Sequence, residues 1–283
     1  MSSDEQEELG QEASAWAATP RDAARRDHVL EARLPSPSFE ERTEAEMIRR
    51  NEVHVWHADL DRTAERMPDL LQTLTPDERE KAGRFRFRKD RDRFVVARGL
   101  LRAILGDYLQ VRPRQLRFTY GPHGKPSLPS EFGRGALQFN LSHSQGQALY
   151  AVACRRRVGV DIEQVRSDFT CLEIAQRFFS SREVDVLRSL PPEKQTEAFF
   201  NCWTRKEAYI KARGEGLSLP LDQFSVSLAP GEPAALLSCG ESQEPSRWSL
   251  RGLEVGPGFV AALAVEGHDY RLKCREQSIS SSA

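Results

Sequence analysis

The sequence predicts an α+β fold made of two similar lobes, with a ligand cleft between them. Short segments alternate apolar and polar residues as strands do, and longer segments repeat apolar residues at helical spacing. The order of helix followed by strands occurs twice along the 283 residues. A chain of this length can form two modest domains with a core in each, and the cleft between such lobes is a common ligand site.

The first lobe is predicted to begin near Asn51, where V-H-V-W-H-A alternates like a strand. Thr75, Pro76 and Glu78 then supply the N-cap, the first-turn proline and the capping-box acid of a helix. Helical sequence continues, with a break, to about Leu105. Three strands should follow, at 117–120, 136–143 and 147–154, and the turn G-P-H-G-K-P separates the first two.

The second lobe is predicted to open with a strand at 157–164. Helices at 171–188 and 193–213 and strands at 223–228, 247–254 and 258–265 should follow. Two short echoes suggest pseudo-symmetry between the lobes: V-A-R-G at 96–99 with K-A-R-G at 211–214, and A-V at 151–152 with A-V at 264–265. The predicted division is a flexible extension (1–48), two α+β lobes (49–156 and 157–275) and a flexible tail (276–283).

Charge and composition exclude several classes of protein. A net charge of −1 argues against general binding of nucleic acid or membranes, and the longest apolar run, Phe259 to Val265, is too short to span a bilayer. The acidic N-terminus lacks the apolar core of a secretory signal. Five scattered cysteines without a C-x-x-C pair indicate free thiols and no zinc site. We therefore predict a cytoplasmic protein.

Two acidic residues share one face of the strand V-G-V-D-I-E-Q-V at 158–165. Its aliphatic residues alternate with Gly159, Asp161 and Glu163, so the two carboxylates point the same way from Cα atoms about 7 Å apart. The ordinary interpretation is an exposed face whose acids meet surface cations. Carboxylates this close repel unless a cation lies between them. Mg²⁺ with phosphate oxygens is a usual partner, so the pair predicts a magnesium–phosphate site if phosphate-binding residues occur elsewhere.

The helix within F-N-C-W-T-R-K-E-A-Y-I-K-A-R-G-E-G, starting at Phe200, carries a second charged pair. Glu207 and Lys211 stand four residues apart and share a face. An ordinary surface ion pair would be worth only a few tenths of a kcal/mol. Trp203 and Ile210 instead suggest that the helix is held on a core, with Glu207 near the boundary of that core.

The segment L-Q-F-N-L-S-H-S at 137–144 ends an apolar stripe with His143. A histidine and serines that cap a turn are the ordinary interpretation. A hydrolase using Ser142, His143 and Asp161 is an alternative. Adjacent strand residues point to opposite faces, which places Ser142 and His143 badly as nucleophile and base. The chain also lacks G-x-S-x-G.

A basic cluster fills residues 81–102, with three phenylalanines among the cations. A solvated helix face is the ordinary interpretation, and a nucleic-acid arm fits poorly with the near-neutral chain. Phosphate binding by one or two of these residues is a smaller and more plausible hypothesis than a nucleic-acid arm. The turn at 121–127 adds Lys125, but its sequence does not match a P-loop.

Six segments, taken in order, match one known family: R-F-R-F at 84–87 with Arg93, Y-G-P-H-G-K-P at 120–126, F-N-L-S-H-S at 139–144, G-V-D-I-E at 159–163, F-F-S-S-R-E at 178–183, and W-T-R-K-E-A-Y-I-K at 203–211 followed by G-E-G-L-S-L-P-L. The chain resembles the Sfp-type 4′-phosphopantetheinyl transferases over roughly residues 51–270. The first 48 residues fall outside this resemblance.

The resemblance implies a monomeric pseudo-dimer of two α+β lobes with coenzyme A bound between them. It implies transfer of 4′-phosphopantetheine from coenzyme A to a serine of an apo acyl or peptidyl carrier protein domain. Adenosine 3′,5′-bisphosphate would be released. Such enzymes serve fatty-acid, polyketide or nonribosomal peptide biosynthesis. The segment 166–180, with Phe169, Leu172 and Phe178, is a candidate for carrier docking but reads equally well as core.

The resemblance also assigns roles by position. It implies Asp161, Glu163 and Glu207 as ligands of Mg²⁺, with Mn²⁺ as the alternative ion, and Lys81, Arg93, Lys125, Ser142 and His143 as contacts to coenzyme A. Lys211 would face the transferring phosphate, and Glu207 would act as the base, directly or through a metal-bound water. A lysine that is common in the family just before Lys81 is absent, and Glu78 stands near its place.

Two other classes of protein remain open at this point. One is a non-catalytic module that holds coenzyme A without transfer, and the other is the Ser-His hydrolase. Three carboxylates facing a polyanion argue against simple binding, because binding alone does not need them. Modification of a carrier protein would separate transfer from both alternatives.

Overall fold

The computed structural model describes residues 48–132, 136–166, 170–240 and 244–276. The predicted N-terminal extension and C-terminal tail, apart from residues 48 and 276, lie outside the described residues. The strands are β1 (Glu52–Asp59), β2 (Thr119–Tyr120), β3 (Pro126–Ser127), β4 (Leu137–Ser144), β5 (Gln147–Cys154), β6 (Val158–Gln164), β7 (Phe224–Val226), β8 (Leu236–Cys239), β9 (Trp248–Leu253), β10 (Phe259–Glu266) and β11 (Arg271–Glu276). The α-helices are α1 (Met67–Thr73), α2 (Pro76–Gly83), α3 (Arg88–Leu109), α4 (Cys171–Phe178), α5 (Ser181–Ser189), α6 (Pro192–Arg213) and α7 (Glu244–Arg247).

Two sheets pack face to face, and each carries a long helix on its outer side. The first sheet has the order β11-β1-β5-β4, and the second has the order β6-β10-β9. Aliphatic side chains from β1, β5, β6 and β10 form one apolar cluster between the sheets. The outer face of the first sheet packs on α3, and that of the second packs on α6. This layering confirms the predicted α+β class.

The two lobes repeat one topology. In each lobe a strand leads to a helix of 22 residues, and two later strands complete an antiparallel sheet whose last strand is central. The orders β1-β5-β4 and β6-β10-β9 therefore correspond, which confirms the prediction of two similar lobes. The sequence similarity between V-A-R-G and K-A-R-G does not mark equivalent positions of the two lobes. Val96–Gly99 lies in the middle of α3, whereas Lys211–Gly214 forms the end of α6.

Most predicted elements are present, with differences that have local causes. The predicted helix 171–188 is two helices, because Ser180 caps α5 and exchanges hydrogen bonds with Glu183. The strand predicted at 117–120 shrinks to β2, which pairs with β3 across the turn. α1, β3, β8, α7 and β11 were not predicted. β11 runs parallel to β1 in the first sheet, although the sequence division assigned it to the second lobe.

A glycine lets α6 approach β6 closely. A Cβ atom on Gly159 would overlap the backbone of Ala208 and Ala212 on α6. This contact sets the distance between the strand that carries Asp161 and the helix that carries Glu207. Helix and strand backbones can come this near only where a side chain is missing.

We expect Gly159→Ala to destabilise the protein by about 3 kcal/mol, because backbone atoms must move to admit the methyl group. In a chain of this size that loss lowers Tm by roughly 10 °C. Thermal unfolding followed by circular dichroism checks the prediction. Gly252→Ala in β9 is the matched control, since a Cβ there meets no atom within 4 Å. Equal Tm values for the two variants would contradict the close-approach argument.

Within the described ranges, no helix is both long enough and apolar enough to cross a membrane. The five cysteines are free thiols, as predicted.

Candidate active site

Polar side chains of β4 connect the two sheets. Three of them bond to β6: Asn140 Oδ1 accepts from Val160 N at 2.8 Å, Ser142 Oγ donates to Asp161 Oδ1 at 2.8 Å, and Ser144 Oγ donates to Glu163 Oε2 at 3.0 Å. Asn140 and Ser144 were not predicted as site residues. The sequence pattern could have identified them, because N-x-S-x-S at 140–144 places three polar side chains on the strand face opposite the apolar stripe.

Asp161 is buried beside an ammonium group. Its side chain is 2% exposed, and Lys211 Nζ lies 2.6 Å from Oδ1. The same ammonium donates to Ser142 Oγ at 3.2 Å. Burial acts to lower the pKa of Lys211, but the carboxylates of Asp161 and Glu207 outweigh it and raise the pKa above its ordinary value. The exposed-face interpretation of the acid pair is therefore wrong for Asp161, whose neighbouring cation is Lys211.

The second oxygen of Asp161 has unused bonding capacity. Within the part of the chain that the structure describes, Oδ2 is buried and has no hydrogen-bond partner. A buried carboxylate oxygen without a donor is costly, so it marks a place where a ligand or cation could bind.

Glu207 lies one turn before Lys211 on α6 and is 8% exposed. Burial raises the pKa of Glu207 to about 7, the negative charge of Asp161 adds to this rise, and Lys211 opposes it. The surface-ion-pair interpretation is therefore excluded. A carboxylate whose pKa lies near neutrality can accept a proton from a substrate at physiological pH.

The three predicted metal ligands do not form a ready-made metal site. Among residues 48–132, 136–166, 170–240 and 244–276, no three acidic, histidine or cysteine side chains are grouped closely enough to hold an ion. Asp161 is bonded to Lys211, and Glu163 accepts from Ser144. The ligand role of Asp161, Glu163 and Glu207 stays a prediction.

The opposite side of β4 carries His143, a predicted contact to coenzyme A. His143 is half-buried at the end of the apolar stripe, as the alternation predicted. Burial lowers the pKa of His143 to about 4, and the positive charges of Lys211 and Arg93 lower it further. Both cations are themselves paired with carboxylates, Lys211 with Asp161 and Arg93 with Asp61.

Arg93 is held in place by an acidic partner. Its Nε and Nη2 atoms donate to the two carboxylate oxygens of Asp61 at 2.8 and 2.7 Å. This bidentate pair packs on the turn between β4 and β5, where a Cβ on Gly146 would lie 2.8 Å from Arg93 Nη2. The pair uses two of the five guanidinium donors and fixes the direction of the side chain.

The two predicted lysine contacts to coenzyme A lie in different surroundings. Lys81 on α2 stands over the ring of Phe94, with Nζ 5.9 Å from the ring centroid. Burial lowers the pKa of Lys81, as do the positive charges of Arg98 and Arg84. Lys125 instead points at the end of α6, where its ammonium donates to backbone carbonyls. The structure therefore joins Ser142, Asp161, Glu207 and Lys211, and it directs the ammonium of Lys125 to backbone carbonyls.

The hydrogen bonds of Ser142 do not fit a Ser-His hydrolase. A serine hydroxyl has one proton, and that of Ser142 is donated to Asp161. Lys211 donates to the same oxygen. Neither bond runs to His143, the base that a triad would require.

Other predicted features are packed rather than exposed. Within the basic cluster, Arg98 and Arg102 are buried and bind Glu78 at 2.6 and 2.7 Å. In the carrier-docking candidate, Leu172 and Phe178 are partly buried against the core of the second lobe, and Phe169 lies outside the described residues. The buried residues of the basic cluster and of the carrier-docking candidate therefore stabilise the fold.

Comparison with known proteins identifies the family of this chain. A model of the 4′-phosphopantetheinyl transferase superfamily matches residues 157–264, and a model of the N-terminal part of 4′-phosphopantetheinyl transferases matches residues 59–155. The chain is 44% identical over 223 residues to 4′-phosphopantetheinyl transferase HetI of Nostoc sp., which covers 79% of this chain and 91% of that protein. It is 32% identical over 201 residues to 4′-phosphopantetheinyl transferase Sfp of Bacillus subtilis, covering 71% of this chain and 86% of that protein. It is also 27% identical over 194 residues to the human L-aminoadipate-semialdehyde dehydrogenase-phosphopantetheinyl transferase, covering 65% and 61%.

Proposed function

This chain belongs to the 4′-phosphopantetheinyl transferase superfamily, and we propose that it moves 4′-phosphopantetheine from coenzyme A to a serine of an apo acyl or peptidyl carrier protein. Adenosine 3′,5′-bisphosphate is the second product. The observation that carries the proposal is the group of Asp161, Glu207 and Lys211 at the junction of the lobes, in which both acids are buried. Such a group has the charges that displacement at phosphorus requires.

Each member of the group has a role that follows from its charge. The carrier serine forms a bond to the phosphorus of the phosphopantetheine arm, and the bond from that phosphorus to the bisphosphate oxygen breaks. Glu207, with a pKa near 7, accepts the serine proton. Lys211 remains cationic and stabilises negative charge on the transferring phosphate, and Asp161 fixes the position of its ammonium.

The side of β4 that carries His143 would hold the nucleotide. His143 and Arg93 are proposed to contact its phosphate groups, with Lys81 as a further contact. Ser142 was predicted to contact the nucleotide as well. Its bonds to Asp161 and Lys211 support a second task, which is to orient those two side chains.

The donor chemistry of the site fits a hard divalent cation. Asp161 Oδ2 is buried without a partner, and carboxylate oxygens are the ligands that Mg²⁺ and Mn²⁺ prefer. Asp161, Glu163 and Glu207 are proposed to hold the ion. When bound, it would neutralise charge on the pyrophosphate of coenzyme A.

The proposed partner and setting follow from the same function. The partner is an apo carrier domain of fatty-acid, polyketide or nonribosomal peptide synthesis, and coenzyme A is the co-substrate. We also propose that the protein is a cytoplasmic monomer that binds neither nucleic acid nor membranes. The support for this is the pairing of two lobes within one chain and the near-neutral net charge.

The test incubates the protein with coenzyme A, Mg²⁺ and a panel of apo carriers, and reads the carriers by intact mass. We expect one carrier class to gain a phosphopantetheine group. Chelation with EDTA should abolish the gain, and added Mg²⁺ or Mn²⁺ should restore it. A folded protein that binds coenzyme A but modifies no carrier would instead support a binding module, and full activity in EDTA would contradict the metal role.

His143→Ala should weaken binding of coenzyme A about tenfold more than binding of dephospho-coenzyme A, because only the former carries the 3′-phosphate. Titration calorimetry of both ligands without a carrier checks this prediction. His268→Ala, a change of an exposed histidine in the second lobe, is the control. Equal weakening of both ligands by His143→Ala would place His143 away from the 3′-phosphate.

A further inference from the structure

Lys125 of the first lobe reaches into the second lobe. It lies directly before β3, at the end of the turn that joins β2 to β3. Its Nζ atom donates to three backbone carbonyls: Lys211 O at 2.5 Å, Val158 O at 3.3 Å and Ala212 O at 3.4 Å. All three acceptors belong to β6 or to the last turn of α6.

These bonds account for the whole ammonium group. A lysine ammonium has three donors and no acceptor, and three carbonyls lie within hydrogen-bond distance of Lys125. A phosphate contact would therefore have to displace one of them. Burial lowers the pKa of Lys125 to about 8, and the positive charge of Arg157 lowers it as well. Both effects disfavour the charged form of the side chain relative to a lysine in water.

The carbonyl groups at the end of α6 would lack hydrogen-bond donors from within the helix. The last four carbonyls of a helix lack partners within the helix, and the end of the helix carries partial negative charge. The αL residue Gly214 donates to Ile210 O at 2.9 Å and satisfies one of them. Lys125 supplies bonds to the next two, Lys211 O and Ala212 O. A Cβ on Gly214 would lie 3.5 Å from Lys125 Cδ, so the stem of the lysine packs along the cap.

The bonded carbonyls belong to the elements that carry the active group. Val158 lies three residues before Asp161 on β6. Lys211 accepts from Lys125 through its carbonyl and donates to Asp161 Oδ1 through its side chain at 2.6 Å. One ammonium from the first lobe therefore fixes the strand of Asp161 against the helix turn of Lys211.

We propose that Lys125 is a positioning residue that clamps the end of α6 to β6 and so holds Lys211 against Asp161, and that it is not a phosphate ligand of coenzyme A. This departs from the role that the family resemblance implied for Lys125. The part of the inference that concerns turnover rests on the proposed function. The part that concerns the clamp and coenzyme A binding does not.

The first experiment compares Lys125→Met with Lys194→Met, which changes an exposed lysine at the other end of α6. In Lys125→Met we expect amides at the end of α6 to exchange at least about fivefold faster than in the control. We expect kcat to fall about tenfold or more, because small displacements of a reacting group are costly. The Kd of coenzyme A should stay within about twofold.

The outcomes separate the clamp from its rivals. A rise in Kd with kcat unchanged would show a phosphate ligand and overturn the proposal. A loss of stability with kcat unchanged would show a merely structural cap and also overturn it. If the protein with native Lys125 transfers nothing, the proposed function fails. Hydrogen exchange and calorimetric Kd values then decide the clamp.

A second experiment uses the native sequence, in case Lys125→Met does not fold. Lysines are labelled by reductive methylation with and without coenzyme A, and the rate at each site is read by mass spectrometry. We expect the rate at Lys125 to change by less than about twofold on adding coenzyme A, with Lys194 as the reference site. Rapid labelling of Lys125 that coenzyme A suppresses would overturn the proposal.

Discussion

Asp161→Asn should reduce transfer by about a thousandfold or more while the protein stays folded. The amide keeps the shape of the side chain and can still accept from Ser142. It removes the charge that fixes Lys211 at 2.6 Å, and it removes a proposed metal ligand. The fold should survive, because the sheets are held together by an apolar cluster to which Asp161 does not belong.

Initial rates of carrier modification measure the effect, and circular dichroism verifies the fold. Asp222→Asn is the matched control, since it makes the same chemical change at an exposed residue. Asp161→Asn with more than about a tenth of the native rate would contradict the role of the buried carboxylate.

Glu183→Ala should destabilise the protein by about 3 to 5 kcal/mol, because it leaves a buried ammonium without its carboxylate. Lys206 Nζ lies 2.8 Å from Glu183 Oε2, and both side chains are at most 1% exposed. Glu183 also accepts from Ser180 N at 2.8 Å and Val226 N at 2.7 Å. The expected fall in Tm is roughly 10 °C or more.

A double variant isolates the charge effect. Adding Lys206→Met to Glu183→Ala removes the unpaired ammonium, so the double variant should be more stable than Glu183→Ala alone. Thermal unfolding of both variants, with the exposed Glu193→Ala as control, provides the comparison. A double variant that is less stable than Glu183→Ala would show that Lys206 contributes mainly through its bonds to Leu221 O and Phe224 O.

Local patterns predicted much of the fold. The alternation around Asp161 predicted β6 and its two faces, and Thr75 with Glu78 predicted the start of α2. β11 was missed, because its pairing with β1 joins segments that are far apart in sequence. Such pairing depends on where the folded lobes place their edges, which a short window of sequence does not show.

Long-range contacts also limited what could be predicted about the site. The sequence indicated that Glu207 and Lys211 share a helix face, but the contact of Lys211 with Asp161 depends on the close approach at Gly159. Lys206 was given no role, because a charged residue is expected at a surface unless its buried partner is known. Lys125 was assigned to coenzyme A by resemblance, whereas its carbonyl partners appear only once the lobes are assembled.

The most direct test of the proposed transfer quantifies both products in one reaction with coenzyme A, Mg²⁺ and an apo carrier. We predict that the phosphopantetheine gained by the carrier equals the adenosine 3′,5′-bisphosphate released. Glu207→Gln should bind coenzyme A but form both products more slowly, because the amide lacks the basicity of the carboxylate. Fragments of coenzyme A with an unchanged carrier would indicate hydrolysis, and neither product from a folded protein that binds coenzyme A would contradict the transfer.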